Sequence, residues 1–279
     1  MKKIILIALL LSICFPQRNL FKSHPYATLG TNQDLTASAS SGDIDGDGDL
    51  DIIVANGRHW SQQNQIFYND GKGFFRRSRP LGSEQNTTYQ VPLADIDNDG
   101  DLDIIVANDR IENQVFKNDG DGNFTFDHYF GMKESNTRGL CITDLNQDGF
   151  VDIVVANRKS QNYIYFNNSK GYFSKGKPFG NRDEATINIA SADLNQDGHV
   201  DLVLANRNAQ PNKIYFGPNF EQSFLFGENN NETRGVAIED MNQDGFLDII
   251  AVNIGDKNRI YFGNGSGKFA RSIFFGKIF

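Results

Sequence analysis

Residues 144–157 read Asp144-Leu145-Asn146-Gln147-Asp148-Gly149-Phe150-Val151-Asp152-Ile153-Val154-Val155-Ala156-Asn157, an acidic loop running straight into a continuous apolar segment. Oxygen-bearing side chains stand at positions 1, 3, 5 and 9, and Gly149 at position 6 permits the sharp bend that gathers them round one point. Four further copies occur roughly 50 residues apart, the signature of a repeat array. They comprise Asp43, Asp45, Asp47, Asp49 and Asp51; Asp95, Asp97, Asp99, Asp101 and Asp103; Asp193, Asn195, Asp197, His199 and Asp201; and Asp240, Asn242, Asp244, Phe246 and Asp248. Position 7 varies among Asp49, Asp101, Phe150, His199 and Phe246, so its backbone carbonyl is the ligand expected there.

A hard cation that accepts six to eight oxygens in loose geometry suits this donor set, and the sequence therefore predicts up to five calcium sites. An EF-hand is excluded. No Glu stands at position 12, where Val54, Val106, Val155, Leu204 and Ala251 are found, and β-branched runs follow each loop in place of a helical pattern. Turn formation alone would explain one isolated copy; five copies with every donor position filled point to metal.

Around the loop of residues 144–152 the chain alternates strands and turns. Thr137–Thr143 precedes it, Asp152–Asn157 is an apolar run of the kind buried on both faces, Asn162–Phe166 alternates, and Tyr172–Phe179 leads to Gly180. Four strands per repeat joined by hairpins predict an all-β fold, a β-propeller of five four-stranded antiparallel blades. The other repeats obey the same grammar. The second strand ends each time in Asn56, Asn108, Asn157, Asn206 or Asn253, and the third opens with Asn64, Asn113, Asn162, Asn212 or Asn258. An apolar residue and Gly close the fourth, as in Phe130-Gly131 and Phe226-Gly227. Tyr26–Gly30 and Ser272–Gly276 both read as outer strands competing to complete the closing blade, either as a clasp or side by side, with an open arc as the third arrangement.

The combination of Phe-Gly, an inner strand, the Asp-x-Asp-x-Asp-Gly-x-x-Asp loop and an apolar strand resembles the FG-GAP, or VCBS, repeats of integrin α-subunit propellers and their bacterial relatives. The Gly-Ala-Pro element of that family is replaced here by Ala-Asn. The resemblance implies that the calcium loops join first and second strands on the bottom of the disc and that ligands meet the opposite, top face. There the chain offers Arg58, His59 and Trp60, with Arg110, Arg138, Arg158, Arg207 and Arg234 at or near equivalent places. Guanidinium pairing and ring stacking at such a rim suit an anionic glycan or protein carboxylates. The bland alternative is a solvated rim whose arginines pair with Glu134, Asp183, Glu184 and Glu232.

The formal net charge of −8 argues against a nucleic-acid partner, and more than half of the 35 acidic residues lie inside the five loops. Met1–Gln17, with Lys2 and Lys3 before the apolar run Ile4–Ile13, reads as a signal peptide too short to span a membrane. The expected mature chain is therefore a single exported domain, residues 18–279, secreted to the periplasm or the extracellular space. Leu11–Cys14 is similar to a lipoprotein signal that would anchor Cys14, although Ile13 departs from the small residue expected there. Without Cys14, Cys141 stands alone and forms no intramolecular disulfide.

No H-E-x-x-H pair, G-x-S-x-G elbow or phosphate loop is present, and no catalytic residue is assigned. The sequence thus reads as a secreted calcium-binding propeller that binds a glycan or protein in an adhesive role. The alternatives are a polysaccharide lyase or hydrolase on the same fold, with Tyr89, His59 and Arg58 as the set to consider, and a purely structural, self-associating protein.

Overall fold

A computed structural model describes residues 29–276 apart from 32, 174 and 228–231. Met1–Gln17, Cys14 and most of the Tyr26–Gly30 segment lie outside the described residues. Five sheets follow one another, each built from consecutive strands, and together they form a five-bladed β-propeller. Blade 1 comprises β1 (Thr36–Gly42), β2 (Asp51–Asn56), β3 (Gln65–Tyr68) and β4 (Arg77–Pro80). Blade 2 has a first strand split into β5 (Thr88–Gln90) and β6 (Leu93–Ala94), then β7 (Asp103–Asn108), β8 (Asn113–Asn118) and β9 (Phe124–Phe130). Pro92, which has no N–H to give to a ladder, sits at the split, and its carbonyl still accepts the Ile105 N–H at 3.1 Å.

Blade 3 contains β10 (Thr137–Thr143), β11 (Asp152–Asn157), β12 (Asn162–Tyr165) and β13 (Gly176–Phe179). Blade 4 contains β14 (Thr186–Ala192), β15 (Asp201–Asn206), β16 (Asn212–Tyr215) and β17 (Ser223–Phe226). Blade 5 contains β18 (Glu232–Glu239), β19 (Asp248–Ile254), β20 (Asn258–Phe262) and β21 (Arg271–Phe275). No helix among the described residues is long and apolar enough to cross a membrane. Where the alternation of residues predicts an outer strand over Tyr172–Phe179, β13 begins only at Gly176. The reason is packing. Phe173 is 1% exposed and inserts into the cluster shared with blade 2, which takes it off the ladder.

The second strands of blades 2, 3 and 4 are buried on both faces, one face per neighbouring blade. Ile105, Ala107 and Val115 of blade 2 meet Ile153, Val155 and Tyr165 of blade 3; Val154, Ala156 and Ile164 of blade 3 meet Leu202, Leu204 and Tyr215 of blade 4. Four such clusters join blades 1 to 2, 2 to 3, 3 to 4 and 4 to 5, and among the described residues no cluster joins blade 5 to blade 1.

The recurrent Asn pairs form a buried polar band that crosses these interfaces. In blade 3 the Asn162 carboxamide accepts the Asn157 N–H at 2.7 Å and donates to Thr186 Oγ1 of blade 4 at 3.0 Å; Thr186 Oγ1 in turn donates to Asn206. The same inter-blade bond links Asn64 to Thr88 and Asn212 to Thr233. Satisfying buried amides in this way ties the start of the third strand in blades 1, 3 and 4 to the next blade's first strand. Asn162→Ala, which strands the Asn157 N–H and one Thr186 bond, is therefore expected to cost about 1–3 kcal/mol. Urea unfolding in calcium, compared between the variant and the parent chain, measures that loss.

Candidate functional site

Each acidic loop connects the first and second strands of its blade, so all five lie at one end of the disc. The Asp at position 9 is fully buried in every copy: Asp51, Asp103, Asp152, Asp201 and Asp248 are each 0% exposed. One of its oxygens accepts the backbone N–H of position 2, and the other accepts an N–H just past the third strand. In blade 3 these bonds run from Leu145 at 3.0 Å and Asn167 at 2.9 Å; in blade 5 they run from Met241 at 3.0 Å and Gly263 at 2.8 Å. The position 1 carboxylate accepts the N–H of the loop Gly, as Asp144 does from Gly149 at 2.9 Å. Position 4 is left-handed throughout, at φ 71° for Gly46 and 58° to 61° for Asn98, Gln147, Gln196 and Gln243. That conformation lets the position 4 side chain reach the next blade. Asn98 donates to the Gly149 carbonyl, Gln147 to that of Gly198 and Gln196 to that of Gly245, so the loops form a linked belt.

The donor set fits a divalent hard cation. Carboxylate oxygens of Asp43, Asp45 and Asp51 lie within 4.8 Å of one another, as do those of Asp95, Asp97 and Asp99. Asp43 Oδ1, Asp45 Oδ1 and Asp97 Oδ1 are buried without a hydrogen-bond partner, an expensive state unless a cation takes them. Burial pushes Asp103 and Asp201 up to about 6, against the lowering effect of their backbone amide bonds. Burial, and then the neighbouring Asp47, also raises Asp45. In blade 2, Lys117 supplies a local counter-charge, with Nζ 2.6 Å from Asp97 and 3.3 Å from Asp103.

At the opposite end of the disc the axial channel opens into a cavity of about 250 Å³. Its wall has two sources. The first strand of every blade carries a register shift at its second residue, between Thr36 and Ser38, Thr88 and Gln90, Thr137 and Gly139, Thr186 and Asn188, and Thr233 and Gly235. Such a bulge re-aims the extra side chain. All five extra residues, Ala37, Tyr89, Arg138, Ile187 and Arg234, line the cavity. Loops after the second strands add Arg58, His59, Arg158 and Arg207, and among the described residues no Asp or Glu lines it.

Six of the eight residues expected on the ligand face thus converge. Trp60, 70% exposed, and Arg110, exposed with φ 63°, do not line the cavity. Two arginines are neutralised: Arg138 by Asp109 at 2.7 Å, with its guanidinium 4.1 Å over the Tyr89 ring, and Arg207 by Glu232 at 2.9 Å. Arg158 bonds the neutral Asn208 carboxamide, and among the described residues neither Arg58 nor Arg234 has an ion pair. Partial burial, and then the positive charges of Arg58 and Arg207, hold Arg234 below the ordinary guanidinium range. Glu184 is turned inward to Lys213 and Tyr215 and leaves the arginines alone.

The FG-GAP-like repeat family model matches residues 43–106, 95–153, 144–204 and 193–251, and the chain belongs to that family. No curated protein matches the sequence. Among solved structures, the biofilm matrix protein Bap1 of V. cholerae aligns at 16% identity and TM-score 0.56, over 86% of this chain and 39% of that one. BBS1N, solved in complex with ARL6DN, aligns at 13% and 0.57 over 86% and 69%; Raptor of Chaetomium thermophilum aligns at 10% and 0.59 over 88% and 21%. These likenesses carry the fold.

The raised carboxylates set a pH dependence. A folded-state value of about 6 for Asp103 and Asp201, above the ordinary value of about 3.9 in an unfolded chain, favours folding below pH 4 and loses that contribution as pH rises through 6. In EDTA, the melting temperature is expected to fall between pH 4.5 and 7. Adding millimolar calcium at pH 7 is expected to raise it by several degrees, and by less at pH 4.5, where Asp103 and Asp201 carry protons.

Proposed function

We propose that this chain is an exported, calcium-stapled propeller that binds an anionic ligand, glycan or protein, in the axial arginine cavity, in an adhesive role. The observation that carries this reading is the convergence of five arginines on one cavity without an acidic lining residue, in a chain of net charge −8. Such segregation concentrates positive potential where walls of low dielectric focus it. A carboxylate or sulfate entering there gains charge-assisted bonds from Arg58, Arg158 and Arg234 and relieves their mutual repulsion. Calcium holds the opposite end, where it neutralises the five loops and leaves the axial field dominant. The likeness to a biofilm matrix protein agrees with an extracellular adhesive role.

A second reading, β-elimination on an acidic polysaccharide, is favoured by one contact. Tyr89 Oη lies 3.5 Å from His59 Nδ1 in the same cavity as Arg58, so a phenol, an imidazole and a guanidinium share one site. Incubation with polyuronates separates the two readings. A rise in absorbance from unsaturated uronates establishes the lyase; binding with flat absorbance is the expected result.

For binding, titration with an acidic polysaccharide in calcium should give an affinity that falls as salt rises, because surface-facing charge pairs are screened. The Arg58→Ala/Arg234→Ala double variant is expected to bind at least tenfold more weakly with an unchanged melting temperature. Salt-independent binding, or full affinity in that variant, overturns the reading.

A further inference from the structure

We propose that the groove between the outer strands of blades 1 and 2 binds one ring of a neutral hexose, at a site that shares no lining residue with the axial cavity. The groove has a volume of about 200 Å³, below the range of drug-sized pockets and suited to a single sugar residue. Phe126 and Tyr129 form one wall, with ring centroids 4.6 Å apart, and both are 45% exposed. Phe116, 4% exposed, closes the floor behind Phe126 at 5.8 Å in an edge contact.

This wall depends on a local irregularity. In the β8–β9 pair, Val115 faces His128 and Phe116 faces Phe126, so Asp127 is an extra residue. Strict alternation would put Phe126 on the side of His128 and Phe130, facing blade 3; the bulge returns it to the side of Tyr129. The other outer pairs, β3–β4, β12–β13, β16–β17 and β20–β21, run without a register shift. His128 fixes the bulge, with Nδ1 2.6 Å from Asp127 Oδ2 and Nε2 accepting the Phe173 N–H at 3.3 Å.

Across from the rings lies a fixed carboxylate. Glu84 accepts bonds from Gln114 Nε2 at 2.8 Å and Tyr129 Oη at 3.1 Å, and Gln114 is 4% exposed. Asn86 Nδ2 also donates to Glu84 Oε2 at 3.3 Å, which leaves Oε1 with acceptor capacity for a sugar hydroxyl; an aromatic platform for the C–H face of a pyranose beside such a carboxylate is complementary to a neutral sugar. The Glu84 charge repels uronates and sulfated sugars. At the junction of blades 3 and 4 the same space is filled, because Lys213 replaces Gln114 and Tyr215 replaces Phe116, and both bond to Glu184 against Gly180. Blade 2 carries the open version.

Saturation-transfer NMR with the methyl glycosides of glucose, galactose and N-acetylglucosamine, in calcium, tests the assignment. At least one should receive saturation from the parent protein. Affinity is expected to fall about tenfold or more in Phe126→Ala/Tyr129→Ala and severalfold in Glu84→Gln, a variant that keeps the shape of the groove. Arg58→Ala/Arg234→Ala should bind the neutral glycoside normally, so failure of the axial site and failure of this one are read separately. Absence of transfer to all three glycosides, or equal binding by both groove variants with melting temperatures intact, overturns the proposal.

Discussion

The interaction on which the rest of the structure depends is the buried carboxylate at position 9 of each acidic loop. Asp51, Asp103, Asp152, Asp201 and Asp248 are fully buried, and each accepts one backbone N–H from its own loop and one from the end of the third strand. One side chain therefore fixes the loop against its blade and sets the start of the apolar second strand. It is also a charge without a general cationic partner, and burial raises Asp51, Asp103, Asp152 and Asp201. Blade 2 has a partial internal remedy in Lys117; blades 3, 4 and 5 place Phe166, Phe216 and Phe262 at that position, which offer no counter-charge.

Charge is thereby sorted along the propeller axis. The end with the five loops holds the carboxylates, and the opposite end holds arginines. A first strand and a second strand joined at the acidic end and paired antiparallel bring their other ends together at the opposite end of the disc. The bulge at the second residue of each first strand uses that position to turn Ala37, Tyr89, Arg138, Ile187 or Arg234 to the axis. Two of the five are arginines and one is a tyrosine. The irregular residues of a regular repeat make the cavity.

The loops, the second strands and the number of blades were legible in the sequence because they rest on local chemistry: donor spacing, glycine at position 6 and unbroken apolar runs. What crosses between blades was not. The Asn at the end of each second strand was visible as a recurrence, but its meaning lies in the bond from its neighbour, such as Asn162, to a Thr some 20 residues on in the next blade. The arginines stood at recurrent positions, and the local backbone decides which reach the cavity; Arg110 shares the position of Arg58 and does not line it. A one-residue bulge leaves no mark in a periodicity, so nothing in the sequence set Phe126 apart from the other aromatics.

The repeats also supply their own control for blade 5. Val252 stands where Ala55, Ala107, Ala156 and Ala205 are all 0% exposed, yet it is 42% exposed. Phe275 stands where Leu81, Phe130, Phe179 and Phe226 are nearly buried, yet it is 36% exposed. The residues on that face are as apolar as their equivalents, so composition does not account for the difference; among the described residues no apolar cluster joins that face to another blade. The Asn–Thr band and the loop belt approach blade 5 from blade 4 alone, through Asn212 and Gln196. Among the described residues the hold on blade 5 comes from blade 4, and the bonds of Asp248 to Met241 and Gly263 fix its acidic loop from within.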